Sequence, residues 1–404
     1  MPARPSPPLP PPPRPRGPSP EELPRRQEAE LQERQRQGRL RVRLAADWRA
    51  LVDAVGLAEA YADTDVVVAA DAGFSDQGSL HLHLGPTDPP IRLRDASLGG
   101  VAAQAGGGAA DLVLPIGGGL AEGSRRGGAQ VLADLLAGRE VTLDSAGEGT
   151  RLQPRRELHT RLDLAHIGGG RLLLHRAIVE NGLVAVSSGE GLLPSPFGPL
   201  LGPFGNALWT AGGAGSIGLT MPGLAQLGPG SPVLVGGAVG WVVGGGSGHQ
   251  PQPRRQASGH ARSPGAVAAV SVDLHALEPG WLRPCFFEAQ GSALLLPIAA
   301  PVLLTDGATA LRAAAADGQL EAPVLDLSVP RRLKPGFGAA SYAALRSGRI
   351  TVEGRELRSA PAHSPRLAEA IGQELVHRLE QNAFPLRLPA LPLSPRPALL
   401  PLEA

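Results

Sequence analysis

The sequence predicts a mixed α/β body: a glycine-rich core of strands joined by short helices. Three observations point there. Residues 65–70 are a short apolar run with three consecutive valines, too brief for a helix and read as a buried strand, and residues 322–328 read as a further strand. Glycine (54) and proline (42) are abundant while aromatics make up only 3% of the chain, so tight turns and close backbone approaches must shape the core more than ring packing does. Residues 365–382 carry Leu367, Ile371, Leu375 and Leu379 at four-residue spacing, which puts one apolar stripe on a helix.

Along the chain, residues 1–20 are mostly Pro, Ser and Arg. They hold too little apolar area to offset the entropy of ordering, so a disordered arm with polyproline character is expected. Its PxxP spacings would suit an SH3-like groove, but a solvated tail is the plain reading. Residues 21–37 follow as a charged helix, with Ser19 as N-cap, Pro20 at its first position and Gly38 ending it. Residues 47–62 form a second helix and 81–84 a strand that stops at the turn Gly85–Pro90. Short helices are expected at 128–137, 308–317 and 341–346, and a hairpin around Glu353–Gly354. Residues 198–248 read as glycine-rich strands and turns. The domain expectation is a disordered tail over 1–20, a body over 21–385 that is open to division into two lobes, and an extended tail over 386–404.

Composition removes several function classes. A formal net charge of +1 gives no whole-chain case for nucleic acid. One cysteine rules out an internal disulfide framework or an all-cysteine metal site within the chain. The nearest approach to a membrane span, 231–248, is broken by glycines and lacks basic anchors. The first residues do not form an apolar leader, so a cytoplasmic location is expected, with no membrane and no nucleic-acid partner. No covalently bound cofactor is expected.

Four motifs invite a functional reading. Gly213, Gly215 and Gly218 match G-x-G-x-x-G, but Pro222 and Gly223 interrupt the helix that a dinucleotide site needs, and no acid follows through Val239. Residues 244–249 lack the Gly-Lys-Ser/Thr ending of a phosphate loop. His81 and His83 share a strand face, yet two ligands without a third do not make a metal site. Cys285 lies between Arg283 and Phe286–Phe287, a setting that favours a buried, inert thiol. Between Pro330 and Pro335, Arg331, Arg332 and Lys334 put three cations in one rigid turn, which reads equally as an anion clamp and as a solvated loop.

An ordered set of segments gives a sharper reading. Thr87–Arg92, Arg126–Gly128, Arg176 with Asn181, Gly205–Ala207, Val235–Gly240, His249, the long stretch Ala322–Gly338 and then Ser341–Tyr342 and Ser347–Gly354 occur in sequence order from about residue 40 to about residue 385. Together they resemble the homocysteine-biosynthesis family, the L-aspartate-semialdehyde sulfurtransferases. The resemblance implies sulfur incorporation into L-aspartate semialdehyde, with an external sulfur donor and a reductant protein as partners and a small anionic amino-acid-like substrate. The family positions that carry over as substrate-binding candidates are Asp88, Arg176, Asn181, Asn206, His249, Arg331, Arg332 and Lys334. Two departures stand out. Leu152 occupies the place of the family's cysteine ahead of Pro154–Arg155, so no catalytic residue is assigned: a leucine can neither carry a persulfide nor attack a carbonyl. Pro86 replaces a histidine that could move protons, and residues 71–79 differ from the family's Ser-Ser-Gly pattern. Two functions therefore stay open: a sulfurtransferase working by a modified route, and a lapsed paralogue that binds the anionic metabolite or a partner.

Overall fold

The computed structural model describes residues 19–118, 124–395 and 402. The proline-rich arm lies outside the described residues except for Ser19 and Pro20, which open a single 3-10 turn, Pro20–Glu22. The architecture is mixed α/β, with two sheets carrying most of the structure among the described residues: one of 14 strands and one of six, plus a two-stranded hairpin.

The large sheet has Val42–Leu44 at one edge, parallel to Val66–Ser75, an apolar run paired antiparallel along its whole length with Gly291–Leu303, from Val66 opposite Leu303 to Ser75 opposite Leu294. The pairing passes through Pro232–Val235, Ala238–Gly245 and Val267–Asp273 to Ile167–Val179 and then to Gly78–Leu84. Only Asp76 and Gln77 separate Gly78–Leu84 from Val66–Ser75, so the path returns to the strand pair from which it began. Beyond Gly78–Leu84 the sheet runs on through Asp111–Pro115, Val101–Ala105, Leu93–Leu98 and Val141–Gly147 to Glu157–Leu162 at its edge. Its hairpins use the glycines the sequence offered: Gly236 (φ 52°) and Gly237 (φ 84°) join two fully paired strands, a two-residue turn that needs positive φ at both positions.

The small sheet orders Gly336–Ser341, Glu321–Asp326, Val184–Val186, Asn206–Trp209, Arg355–Pro361 and Arg349–Val352. Asn206–Trp209 and Arg355–Pro361 are parallel, and Val184–Val186 runs antiparallel to the former. The segments after the first two strands and before the third therefore emerge on one side, facing the large sheet.

The helices are shorter than the sequence pattern implies, for identifiable reasons. The expected helix over 21–37 is the 3-10 turn and then Glu28–Arg36, because Pro24 cannot donate a backbone hydrogen bond between them. The expected helix over 47–62 is two, Ala45–Val55 and Leu57–Ala62, broken at Gly56 with φ 88°. Pro365–Glu380 forms as its stripe requires: the Ser364 side chain caps Leu367 N at 3.3 Å, and Ile371, Leu375 and Leu379 are fully buried against the large sheet. In the C-terminal segment expected to be an extended tail, Leu386 and Leu393 are buried and Ser394 O accepts from His249 Nε2 at 2.8 Å. That stretch is thus seated on the body by apolar area and a hydrogen bond. No helix among the described residues is long and apolar enough to cross a membrane.

Candidate functional site

The two sheets meet at a cleft of about 220 Å³. The topology explains what it contains. From the large sheet come the end of Val66–Ser75 with Asp71, the turn Asp76–Gln77, and the end of Ile167–Val179 with Arg176. From the small sheet come Thr210 and His363, delivered by two parallel strands to the same side, and Asn181–Leu183 leading into the strand antiparallel to them. The tip of the hairpin formed by Gly191–Leu193 and Leu200–Gly202 adds Pro196 and Phe197 as a rim. Phe287 adds an apolar wall, packed edge-on against Phe74 with ring centroids 5.0 Å apart.

Two side chains in the cleft hold unusual protonation states. Asp71 lies in an otherwise apolar strand. Burial pushes its carboxyl up to about 6, against the opposing pull of the Ile217 and Gly212 amides. Ile217 N donates to Oδ2 at 2.9 Å, while Oδ1 has no hydrogen-bond partner. Burial also pulls the His363 imidazole down to about 4, and neither of its ring nitrogens has a side-chain hydrogen bond. Its ring stands edge-on to Trp209 with centroids 4.6 Å apart. At the opposite wall, burial draws the Arg176 guanidinium below its ordinary value while Asp76 opposes the shift; Nη1 donates to Ser247 O at 2.9 Å. The site therefore offers a cation, an acid poised near neutrality and a neutral imidazole around one space, which suits a small anionic molecule with a polar reacting end.

The residues expected from sequence to share a pocket are mostly apart. Of them, Arg176 and Asn181 line the cleft. Asn181 is wholly buried and spoken for: Nδ2 donates to Ala261 O (2.7 Å) and Glu321 O (2.8 Å), and Oδ1 accepts from Gly182 N and the Tyr342 hydroxyl. Asp88 sits in an exposed turn beyond Gly78–Leu84. Asn206 braces the cleft hairpin from behind, accepting from Leu201 N at 2.7 Å and donating to Pro199 O at 3.1 Å. His249 ties the C-terminal segment to the body: Val267 N donates to Nδ1 at 3.0 Å and Nε2 donates to Ser394 O. Arg331 and Arg332 are exposed on a turn after Glu321–Asp326, and Lys334 Nζ closes that turn on Val329 O at 2.6 Å. None of these four regions lines the cleft.

Leu152 is 84% exposed on the loop between Val141–Gly147 and Glu157–Leu162, at the far edge of the large sheet. Cys285 is half-buried on Arg283–Phe287, where burial pushes its thiol up; Sγ lies 3.5 Å from Arg283 O, outside the cleft lining. The glycine-rich motif at Gly213–Gly218 opens a helix of only four residues, Ile217–Thr220, and a Cβ at Gly218 would lie 2.3 Å from Val179 O. Its glycines serve close packing of this segment against Ile167–Val179, the strand that carries Arg176. His81 is held by Ser79 Oγ at 3.0 Å and His83 by Asp111 at 2.8 Å, and no group of three metal-ligating side chains assembles among the described residues.

Sequence reasoning missed Asp71 and His363. The signal for Asp71 was a single carboxylate inside an apolar strand; for His363 none existed in one dimension, since the adjacent Ser364–Pro365 pair reads only as a helix start.

The sequence pattern of a family described as homocysteine biosynthesis enzyme, sulfur-incorporation, matches residues 41–386. An L-aspartate semialdehyde sulfurtransferase of Methanosarcina acetivorans is 29% identical over 362 residues, covering 88% of this chain and 70% of that protein. One from Methanocaldococcus jannaschii is 27% identical over 337 residues, covering 80% of this chain and 63% of that protein, so the chain spans less than two thirds of that relative. No solved structure matches the chain.

Proposed function

The chain belongs to the homocysteine biosynthesis enzyme, sulfur-incorporation, family, and from that premise we propose that it introduces sulfur into L-aspartate semialdehyde within the cleft between its two sheets. The observation that carries the reading is the pairing of a cleft cation, Arg176, with two partly unpartnered proton-transfer groups, Asp71 and His363, in one space. Arg176 holds the substrate carboxylate as a charge-assisted pair. The aldehyde then points toward Asp71 and His363, and Phe287 with the Pro196–Phe197 rim excludes water around it.

With Leu152 in the place of the family cysteine and Cys285 outside the cleft, sulfur enters as free sulfide rather than as a persulfide carried on the chain. The overall stoichiometry closes. Hydrogen sulfide adds to the aldehyde carbon, water leaves to give the thioaldehyde, and a two-electron donor with two protons reduces it to homocysteine. The donor is a separate protein or reagent.

The same two departures support a second reading: a paralogue that has lost turnover and binds the amino-acid-like metabolite for a partner. The readings separate by experiment. Complementation of a homocysteine auxotroph by this chain supports the first. Calorimetric binding of L-homoserine, a non-reactive relative of the substrate, without complementation and without sulfide-dependent turnover supports the second. Absence of both binding and turnover overturns both.

A further inference from the structure

The geometry points to Asp71 and His363 as a proton-transfer pair that exchanges the aldehyde oxygen for sulfur at the back of the cleft, an inference that rests on the function proposed above.

Two facts of placement lead there. Gly73 and His363 form an antiparallel bridge, and Ser364 N donates to Ala72 O at 2.8 Å, so the segment carrying His363 is sewn to the strand carrying Asp71. Asp71 lies two residues from Gly73 along that strand, which places both residues of the bridge pair and Asp71 on one face. The second fact is polar accounting. Buried polar groups are normally satisfied, yet Asp71 Oδ1 and both His363 ring nitrogens have no side-chain hydrogen-bond partner, and both residues line the cleft. The Gly212 amide acts on the Asp71 carboxyl and the Trp209 backbone on the His363 imidazole, and both residues border the space that a molecule in the cleft would fill.

The step balances without any other group. The step starts from Asp71 as the carboxylic acid, the form that prevails below about pH 6, and His363 as the neutral imidazole, the form that prevails above about pH 4, each the form that burial favours. As sulfur bonds to the aldehyde carbon, His363 takes the proton from hydrogen sulfide and Asp71 gives its proton to the carbonyl oxygen. The adduct carries one hydroxyl and one thiol on the same carbon. The imidazolium then protonates the hydroxyl, the carbon–oxygen bond breaks and water leaves, while the Asp71 carboxylate takes the thiol proton as the carbon–sulfur double bond forms. Both residues end as they began, and no electrons have moved; reduction of the thioaldehyde is a later step by the external donor. General acid–base assistance of this kind contributes roughly 100- to 10,000-fold.

Other groups around the pair set its pH response. Tyr342 and Asp317 lie on the small-sheet side, where burial keeps the Tyr342 phenol neutral, Asp317 adds negative charge, and Arg346 opposes protonation of His363. Arg49, with Nη1 buried, packs over Gly215 beside the loop that bonds Asp71. Arg176 and Asp76 face the cleft from its other wall.

The test uses the full chain with L-aspartate semialdehyde, sodium sulfide and titanium(III) citrate, reading homocysteine by mass spectrometry, and L-homoserine binding by calorimetry in parallel. Asp71→Asn and His363→Gln are each expected to lower kcat at least 100-fold with L-homoserine affinity within threefold of wild type, and Asp71→Glu to recover part of the rate. The wild-type profile of kcat against pH should fall on its alkaline side as Asp71 ionises, and that limb should vanish in Asp71→Asn, a change that a purely structural role would not produce. Variants that bind L-homoserine and keep more than a third of wild-type kcat overturn the pair while leaving the proposed function standing. A wild type that binds L-homoserine yet makes no homocysteine overturns the proposed function and the pair with it.

Discussion

His363 bridges to Gly73 across the boundary between the two sheets, so the histidine with the most depressed basicity is fixed to the strand that carries the most raised carboxyl. The two groups have opposite linkage to folding. Asp71 titrates near 6 in the folded chain against an ordinary 3.8, so its favourable contribution is whole below pH 3.8 and lost as pH rises through 6. His363 titrates near 4 against an ordinary 6.5, so its contribution is whole above pH 6.5 and lost as pH falls through 4.

The expected outcome is a pair of crossing stability profiles. Asp71→Asn should be more stable than wild type above pH 6, by up to about 3 kcal/mol, because the folded chain no longer holds an ionised carboxylate in a dry site. His363→Gln should lose less stability than wild type between pH 6.5 and 4. Thermal melts of the three proteins across pH 4 to 8 check this. Differences that stay flat with pH would show that neither group is desolvated as described.

Asn181 is a structural keystone, although it borders the cleft. Asn181→Ala leaves Ala261 O, Glu321 O, Gly182 N and the Tyr342 hydroxyl without their shared partner in a wholly buried place. A loss of about 3 kcal/mol is expected, read as a shift of the denaturant midpoint. A loss under about 0.5 kcal/mol would mean that water replaces the amide, which this dry position argues against.

Much of the fold was legible because its determinants are local. The apolar stripe on Pro365–Glu380, the glycines at 236–237 and the turn at Glu353–Gly354 each dictate a conformation by themselves. Helix lengths were less so, since Pro24 and Gly56 interrupt patterns that hydrophobic spacing alone continues. The cleft was nearly illegible. Its contents depend on Asn206–Trp209 and Arg355–Pro361 being parallel neighbours, a pairing across about 150 residues that no sequence window contains. Asn206, His249 and the Arg331–Arg332 turn drew attention because they sit beside Gly or Pro. The same Gly and Pro make tight turns, and a tight turn recruits polar side chains to satisfy its own backbone, as Asn206 does for the 191–202 hairpin.

A cysteine placed at position 152 should not supply a carrier for sulfur in the cleft. Leu152 lies on an exposed loop at the sheet edge opposite the cleft-lining strands. Leu152→Cys is expected to leave the melting temperature unchanged, because an exposed side chain away from packing changes stability by about 0.5 kcal/mol or less. The new thiol should react readily with iodoacetamide, and sulfide-dependent homocysteine formation should not rise. A several-fold rise in turnover would indicate that this loop folds over the cleft during the reaction.

Among the described residues Arg176 is the one cleft cation with the reach to hold a carboxylate, since the Arg331, Arg332 and Lys334 turn lies outside the cleft lining. Arg176→Met keeps the stem's apolar packing and removes the charge. It should weaken L-homoserine binding by about 1.5 to 3 kcal/mol, the worth of a charge-assisted bond in a partly dry site. Arg176→Lys should lose part of that, because an ammonium cannot make the two-pronged contact while also donating to Ser247 O. The control is 3-amino-1-propanol, which is L-homoserine without its carboxylate: its weaker affinity should be the same in all three proteins. If Arg176→Met binds L-homoserine as wild type does, the carboxylate is held elsewhere, and the same titration on an Arg331→Ser, Arg332→Ser double variant then decides for or against the turn.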